Sequence, residues 1–169
     1  MNHGMHLLIT AFGLLLSCAV VVFLLGCAKV RNRVKGWIVF AVVAAVSAIL
    51  VVLCGGVLYS GVPVSGEWDV FYIQALDASL HFNIDRLSAF FMLLVTLLSL
   101  PAVMFSIGYM EREKGIGYYS PLLFFITGML GVVCIDDLFF MFIPWEFMSL
   151  SAYALILFQK EEPKALQAG

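Results

Sequence analysis

The chain has 169 residues, of which 63% are hydrophobic and 12% are charged, whereas soluble domains are about half apolar and about a quarter charged. This composition excludes an ordinary soluble enzyme and predicts an integral membrane protein. The formal net charge of -2 says little, because the distribution of cations among the loops decides orientation.

Five apolar windows are long enough, or nearly so, to cross a bilayer, which takes roughly 20 helical residues. The windows are residues 5–28, 37–59, 87–110, 118–135 and 138–158. The predicted fold class is therefore an all-α membrane protein with about five transmembrane helices. We divide it into residues 1–59 with two helices, an outer loop over residues 60–86, and residues 87–169 with three helices.

The loop between the first two windows is strongly basic. It contains Lys29, Arg31, Arg33 and Lys35 and no acidic residue. By the positive-inside rule this loop faces the cytoplasm, or the matrix if the membrane is that of an organelle. Alternation of the spans then gives the remaining positions: outside for the N-terminus, residues 60–86 and residues 136–137, and inside for residues 111–117 and 160–164.

The outer loop predicts a small β-hairpin. Residues 61–66 are rich in glycine, proline and serine, which is typical of a loop. Large apolar residues then alternate with others at 70–75 and again at 79–84, with Leu76 and Asp77 between the two runs. We expect the hairpin to lie on the outer face of the helices and to serve in packing or in contact with a neighbour.

Two prolines lie inside predicted spans, Pro101 in the third and Pro144 in the fifth. A proline removes one backbone hydrogen bond and bends a helix, which a helix bundle tolerates. At Pro144 the carbonyl of Phe140 loses its usual partner. This pattern is equally consistent with a passive kink and with a loosened turn that admits water.

Glu146 is the single charged residue in the fifth window. An ionised group at mid-bilayer depth costs roughly 3 kcal/mol on insertion scales, so spans that keep one commonly use it to move ions or protons. Ser149 and Tyr153 follow at helical spacing and share its face. We expect this polar stripe to face the bundle interior or a wet cavity, with Glu146 as a proton-translocating carboxylate and the two hydroxyls in support.

A fixed role for Glu146 is the alternative interpretation. The acid would then be permanently neutral, or half of an ion pair that only holds helices together. We expect no lysine, arginine or histidine at membrane depth in any of the five windows, so the chain offers no internal cation for such a pair. Burial together with a cation from elsewhere can poise a carboxyl group for reversible protonation.

The other titratable residues near the spans predict no separate site. His3, His6 and His81 fall at the outer margin or in the outer loop and are expected to be surface residues. Asp136 and Asp137 precede the fifth span and are expected to be boundary charges. A shared role in collecting protons is the weaker alternative for these two acids.

Cofactors and metals are not expected in this chain. The cysteines form no CxxC pair and are interpreted as small apolar residues that fill space; they are Cys18, Cys27, Cys54 and Cys134. The sequence contains no glycine-rich phosphate loop, no iron–sulfur cysteine cluster and no paired histidines for haem. Any redox centre must therefore belong to partner chains.

Residues 127–153 contain the run Trp145-Glu146-Phe147-Met148-Ser149-Leu150. This stretch resembles the antiporter-like subunits of complex I and its relatives, whose fifth span carries a similar signature. Asn-Ile-Asp-Arg-Leu-Ser-Ala-Phe-Phe at 83–91 and Ser-Ile-Gly-Tyr-Met at 106–110 resemble the third span of the same family. The likeness is closest to the large membrane subunit of energy-converting hydrogenases and formate hydrogenlyase, and to chain 5 of NADH-quinone oxidoreductase.

The resemblance implies that Glu146 works opposite a lysine on a later, broken helix, and that this pair opens and closes with redox chemistry in a peripheral arm. It implies a non-catalytic, proton-translocating subunit of a respiratory oxidoreductase, of the NADH-quinone oxidoreductase or membrane hydrogenase type, in a bacterial or archaeal inner membrane. The implied partners are other membrane subunits, the helices that carry the lysine, the redox arm and the lipid bilayer, with no nucleic acid. Pro144 departs from the apolar residue usual in the family.

Family members continue for many more spans, so we expect the chain to be the N-terminal portion of such a subunit, without transport activity on its own. Two alternatives remain. The chain belongs to the large subunit of a multi-component sodium/proton antiporter, which shares this fold and the glutamate, or it is an assembly remnant whose spans only pack against partners.

Overall fold

The computed structural model describes residues 3–28, 30–73, 78–111 and 117–157, with the backbone alone for residues 3, 67–73 and 78–79. The elements in these ranges are α1 His3–Cys27, α2 Asn32–Ser60, β1 Val64–Ile73, β2 Ala78–Ile84, α3 Arg86–Met110, α4 Tyr119–Cys134 and α5 Leu138–Leu157. The predicted helical membrane fold with an inserted hairpin is therefore confirmed. Several predictions concern positions outside the described residues: Lys29, Leu76, Asp77, the inner tail at 160–164 and the side chain of His3.

Four of the described helices, α1, α2, α3 and α5, are long and apolar enough to cross a membrane. Helix α4 has 16 residues and is about 24 Å long, which is shorter than a hydrocarbon core of about 30 Å. The fourth window was also the shortest in the sequence. A short helix in this position needs its neighbours to shield its ends from lipid.

Helices α1 to α4 pack around one shared core. Helix α2 lies between α1 and α3, helix α4 contacts α1 and α3, and α5 packs mainly against the far side of α4. Leu15, Leu50, Met92 and Leu123 are fully buried where these helices meet. Because lipid tails are as apolar as leucine, close packing holds such a bundle together more than the hydrophobic effect does.

Close approach of three helices fixes the end of the bundle away from the hairpin. A side chain at Gly36 of α2 would meet the Tyr119 hydroxyl of α4 and Ile107 of α3. The Tyr119 hydroxyl in turn lies 3.4 Å from the carbonyl oxygen of Ser106, to which it donates. Glycine at position 36 therefore lets α2, α3 and α4 meet without an intervening side chain.

The hairpin begins earlier than predicted. Its two strands are antiparallel, with Val64 opposite Ile84 and Gly66 opposite Phe82. Residues 65 and 66, which were predicted to be loop, lie in β1. A Cβ at Gly66 would lie 2.6 Å from the Met5 side chain of α1, so this glycine serves close packing of the strand on α1.

Asp85 caps the N-terminus of α3 directly after β2. Its Oδ1 accepts a hydrogen bond from the Ser88 amide at 2.7 Å. This hydrogen bond is the largest cause of a pKa below the usual value for the Asp85 carboxyl. The ionised form therefore stabilises the start of α3.

Replacing Asp85 by alanine is expected to destabilise the protein by about 1 kcal/mol, because one helix amide loses its acceptor. Since the folded pKa is depressed, the contribution of Asp85 is fully present above the unfolded pKa and is lost as the pH falls through the folded pKa. Thermal unfolding in detergent micelles at a series of pH values measures both effects. Asp85→Asn is the control: it keeps the cap and should lose only the acid-dependent part, and an Ala variant as stable as wild type would contradict the prediction.

Candidate ion-translocation site

Glu146, Ser149 and Tyr153 lie on one continuous helix, α5, which runs through Pro144 without interruption. All three side chains are exposed, and Tyr153 has 48% of its surface accessible. The predicted sharing of one helical face is consistent with this pattern. The face, however, points away from the other four helices.

The opposite face of α5 forms the contact with α4. Two glycines of α4 make room for this face of α5. A Cβ at Gly128 would lie 2.9 Å from the carbonyl oxygen of Pro144, and a Cβ at Gly131 would lie 2.7 Å from the Pro144 Cβ. Met148 also lies close to Gly128. Pro144 is therefore a packing residue of the seam between α4 and α5.

Glu146 lies two residues from both Pro144 and Met148, which places it about 160° around the helix from the packed face. That the stripe faces a wet cavity stays a prediction, but the stripe does not face the interior of the five described helices. The physical reason is that the small residues of α4 select the proline face of α5, and the core between α1 and α4 is already filled with apolar side chains.

Helix α5 is the least covered of the long helices. Only 11% of its best 18-residue window is buried, against 33% for α1 and α3 and 39% for α2. In the described part of the chain, neither an ion pair nor a hydrogen bond involves the Glu146 side chain. A carboxyl group left on this face in lipid would cost about 3 kcal/mol, so the face requires protein or water beside it.

Lys35 is a buried cation that the second predicted window, residues 37–59, did not include. Helix α2 begins at Asn32, five residues before the predicted window, and Lys35 is only 3% exposed. The hydropathy window left Lys35 out, because a helix can extend through charged residues beyond its apolar segment. Asn32 beside it donates to the carbonyl oxygen of Met110 at 3.2 Å, which places this lysine at the end of the bundle away from the hairpin.

At the hairpin end the structure brings together residues that are far apart in sequence. His81 Nδ1 of β2 lies 3.6 Å from Asp136 Oδ2, and the Asn83 side chain donates to the same oxygen at 3.4 Å. Asp137 Oδ1 accepts hydrogen bonds from the amides of Phe139 and Phe140, at 2.9 and 3.0 Å, and so caps α5. Asp136 and Asp137 thus make distinct structural contacts before α5, and their role as boundary charges stays a prediction.

The positions of these residues agree with the prediction that successive loops lie at opposite ends of the bundle. The segment at 136–137 lies at the same end as the hairpin, and Arg33 and Glu111 meet at the opposite end with 3.3 Å between Nη1 and Oε1. Which end faces the cytoplasm stays a prediction. His6 is exposed in α1, as expected for a surface residue.

An apolar cavity of about 310 Å³ lies between α1, the hairpin, α4 and α5. Phe12, Phe82, Gly131 and Pro144 contribute to its lining. The described lining residues carry no ionisable group, so this cavity offers nothing that could carry a proton.

Three of the four cysteines are buried and fit the interpretation as space-filling residues: Cys18, Cys54 and Cys134. Cys27 is exposed at the end of α1. Over the ranges that the structure describes, no three side chains of histidine, cysteine, aspartate or glutamate form a group able to hold a metal ion.

Proteins similar to this chain are found both by sequence and by structure. Residues 68–120 match the family described as NADH-ubiquinone oxidoreductase (complex I), chain 5 N-terminus. The structure superposes on the solved Mrp complex from Dietzia sp. DQ12-45-1b with a TM-score of 0.69 and 28% identity, covering 95% of this chain and 16% of that one. The chain matches the N-terminal portion of antiporter-like membrane subunits.

Curated relatives of this chain carry antiporter names. It is 38% identical over 84 residues to a Na(+)/H(+) antiporter subunit A1 of Staphylococcus haemolyticus (strain JCSC1435), which is 49% of this chain and 10% of the relative. It is 34% identical over 84 residues to the subunit of the same name in Staphylococcus aureus (strain JH9), with the same coverage. The chain thus spans about a tenth of the length of these relatives.

The comparisons support one part of the family resemblance. The match to chain 5 of complex I agrees with the family resemblance, whereas the hydrogenase and formate hydrogenlyase branch stays a prediction. The matched family segment ends at residue 120 and does not include α5. The role of Glu146 therefore depends on its chemistry and its position in the helix.

Proposed function

We propose that this chain forms the N-terminal helical module of a proton-translocating antiporter-like membrane subunit, in which Glu146 binds and releases the proton. The observation that carries the proposal is the position of Glu146: a carboxyl group near the middle of an apolar helix, on the face that the other four helices leave uncovered. An ionised carboxyl group costs free energy in lipid, and membrane helices that keep one commonly use it to move ions or protons.

The face of α5 that carries Glu146 meets another polypeptide segment in this proposal. That segment supplies the cation, a lysine by the family resemblance, which the described part of α5 and its neighbours do not provide. An approaching cation favours the ionised carboxylate and releases the proton, and a retreating cation favours proton uptake. Ser149 and Tyr153, about one and two turns further on, offer hydroxyl groups that hold water along the same stripe.

The energy source separates two versions of this function. In the first, the subunit belongs to a sodium/proton antiporter of several membrane subunits, which the names of the relatives and the Mrp neighbour favour. In the second, a respiratory oxidoreductase with a peripheral redox arm drives the same proton movement, which the description of the matching family favours. We place the antiporter first, because two of the three comparisons point to it.

Everted membrane vesicles test the proposal and separate its versions. The vesicles come from a bacterium without antiporters of its own and carry this chain with its complete set of partner subunits. In the antiporter version, added sodium collapses a preformed pH gradient; in the oxidoreductase version, an electron donor acidifies the lumen without sodium. Both responses should disappear in the Glu146→Gln variant, and a response that is the same with and without this chain would refute the proposal.

A further inference from the structure

Strand β2 of the hairpin is joined to the loop between α4 and α5. The Asp136 amide donates to the carbonyl oxygen of His81 at 3.1 Å, and Phe82 forms an isolated antiparallel bridge with Ile135. These contacts connect residues more than 50 positions apart in the sequence. The hairpin therefore holds the segment from which α5 starts.

The side chains at this junction add a titratable contact. His81 Nδ1 lies 3.6 Å from Asp136 Oδ2, and the two side chains are 29% and 57% exposed. The Asn83 amide donates to the same carboxylate oxygen at 3.4 Å. Imidazole groups in proteins change charge between about pH 5 and 8, so a proton on His81 turns this contact into an ion pair.

The adjoining elements carry charges of both signs, and the cation among their described residues is Arg86, whose guanidinium lies beside Gly61. Glu67 lies opposite His81 in the register of β1. Asp137 caps α5 through the amides of Phe139 and Phe140, and Asp85 caps α3 through the amide of Ser88. Among these acids, Asp136 is the one whose carboxylate oxygen lies 3.6 Å from His81 Nδ1 across the junction.

This junction lies close to the start of the helix that carries Glu146. Asp136 directly precedes the capping residue Asp137, and Glu146 follows nine residues later, about 13 Å along the helix. A change in how firmly residue 136 is held therefore acts on the position of α5 as a whole.

We propose that His81 is a positioning residue for proton translocation: its protonation on the hairpin side of the membrane pairs it with Asp136 and fixes the start of α5. The proposal rests on the proposed function of Glu146. At low pH on that side the clasp formed by His81, Asn83 and Asp136 is closed and Glu146 is held in register with its partner. When His81 loses its proton, the ion pair is lost and translocation slows.

The transport test uses the complete complex in proteoliposomes, with the pH varied on the hairpin side. The ratio of wild-type rate to Asp136→Asn rate is expected to rise roughly twofold to fivefold from pH 8.5 to pH 5.5, as an exposed ion pair permits. His81→Gln should remove this pH dependence, and His81→Arg should keep at pH 8.5 the rate that the wild type shows at pH 5.5. His6→Gln, at an exposed histidine of α1, is the control and should behave as wild type.

A second measurement does not depend on transport. Hydrogen exchange of the segment at 133–141 reports the Asp136 amide, which donates to β2. In the His81→Gln complex this segment should exchange faster than in wild type at pH 6, with a smaller difference at pH 8.5. The clasp would be overturned if the wild-type and His81→Gln complexes exchanged equally at both pH values. A ratio of wild-type to Asp136→Asn transport rates that does not change with pH would overturn it as well.

The two readouts keep this proposal separate from the proposed function. If Glu146→Gln transports normally, the proposed function fails, and hydrogen exchange still decides whether the clasp exists. If Glu146→Gln is inactive and His81→Gln matches wild type in both measurements, the clasp alone is refuted.

Discussion

The Glu146→Gln variant is expected to lose proton translocation by roughly a hundredfold or more, because glutamine cannot bind and release a proton and proton transfer by a placed acid is worth that much. The side chain keeps its size and loses its charge, so the helix becomes cheaper to hold in the membrane. The amount of assembled complex should therefore be unchanged. Glu146→Asp keeps the carboxyl group one carbon shorter and should retain partial activity.

Two control variants give this prediction its specificity. Glu111→Gln removes an exposed acid that pairs with Arg33 at the far end of the bundle; it should cost under about 1 kcal/mol of stability and leave transport unchanged. Ser149→Ala removes a hydroxyl from the same face as Glu146 and should slow transport only a fewfold. Transport rates in vesicles, divided by the amount of complex, are the measurement.

A scaffold role makes the opposite prediction for the same variants. If the five helices only pack against partners, Glu146→Gln lowers the amount of complex, and the transport rate per complex stays as in wild type. The comparison thus tests whether the carboxyl group acts in chemistry or in assembly.

The sequence was enough to predict the helices and the hairpin. A bilayer requires long apolar segments, so the window at 5–28 falls within one or two residues of α1 at His3–Cys27. Alternating apolar residues at 79–84 likewise predicted β2 at Ala78–Ile84. These features depend on local composition and period, which a single sequence contains.

The sequence was not enough to predict which way α5 faces. Helical spacing groups Glu146 with Ser149 and Tyr153, but the orientation of that group depends on which face of α5 fits α4. Gly128 and Gly131 decide this, and their effect depends on a contact with Pro144 on the next helix. The pairing of His81 with Asp136 was missed for the same reason, since it joins two segments that only the fold brings together.

The Gly131→Ala variant is expected to destabilise the contact between α4 and α5 by about 1–3 kcal/mol, because the added carbon has no room. Its Cβ would lie 2.7 Å from the Pro144 Cβ and 3.2 Å from the Pro144 Cγ. A proline ring cannot rotate away, so α5 itself must shift. Thermal unfolding of the complete complex in detergent should show a lower midpoint for the variant.

The matched control is Gly108→Ala in α3, where an added Cβ meets nothing within 4 Å. That change should leave stability equal or raise it by up to about 1 kcal/mol, since alanine is the better helix former. Pro144→Gly removes both ring carbons that Gly131→Ala would meet, so the double variant should recover part of the loss, and the coupling between the two sites measures the contact. Equal stability of Gly131→Ala and Gly108→Ala would show that α5 does not pack on α4 through this seam, and the outward position of Glu146 would then lose its structural basis.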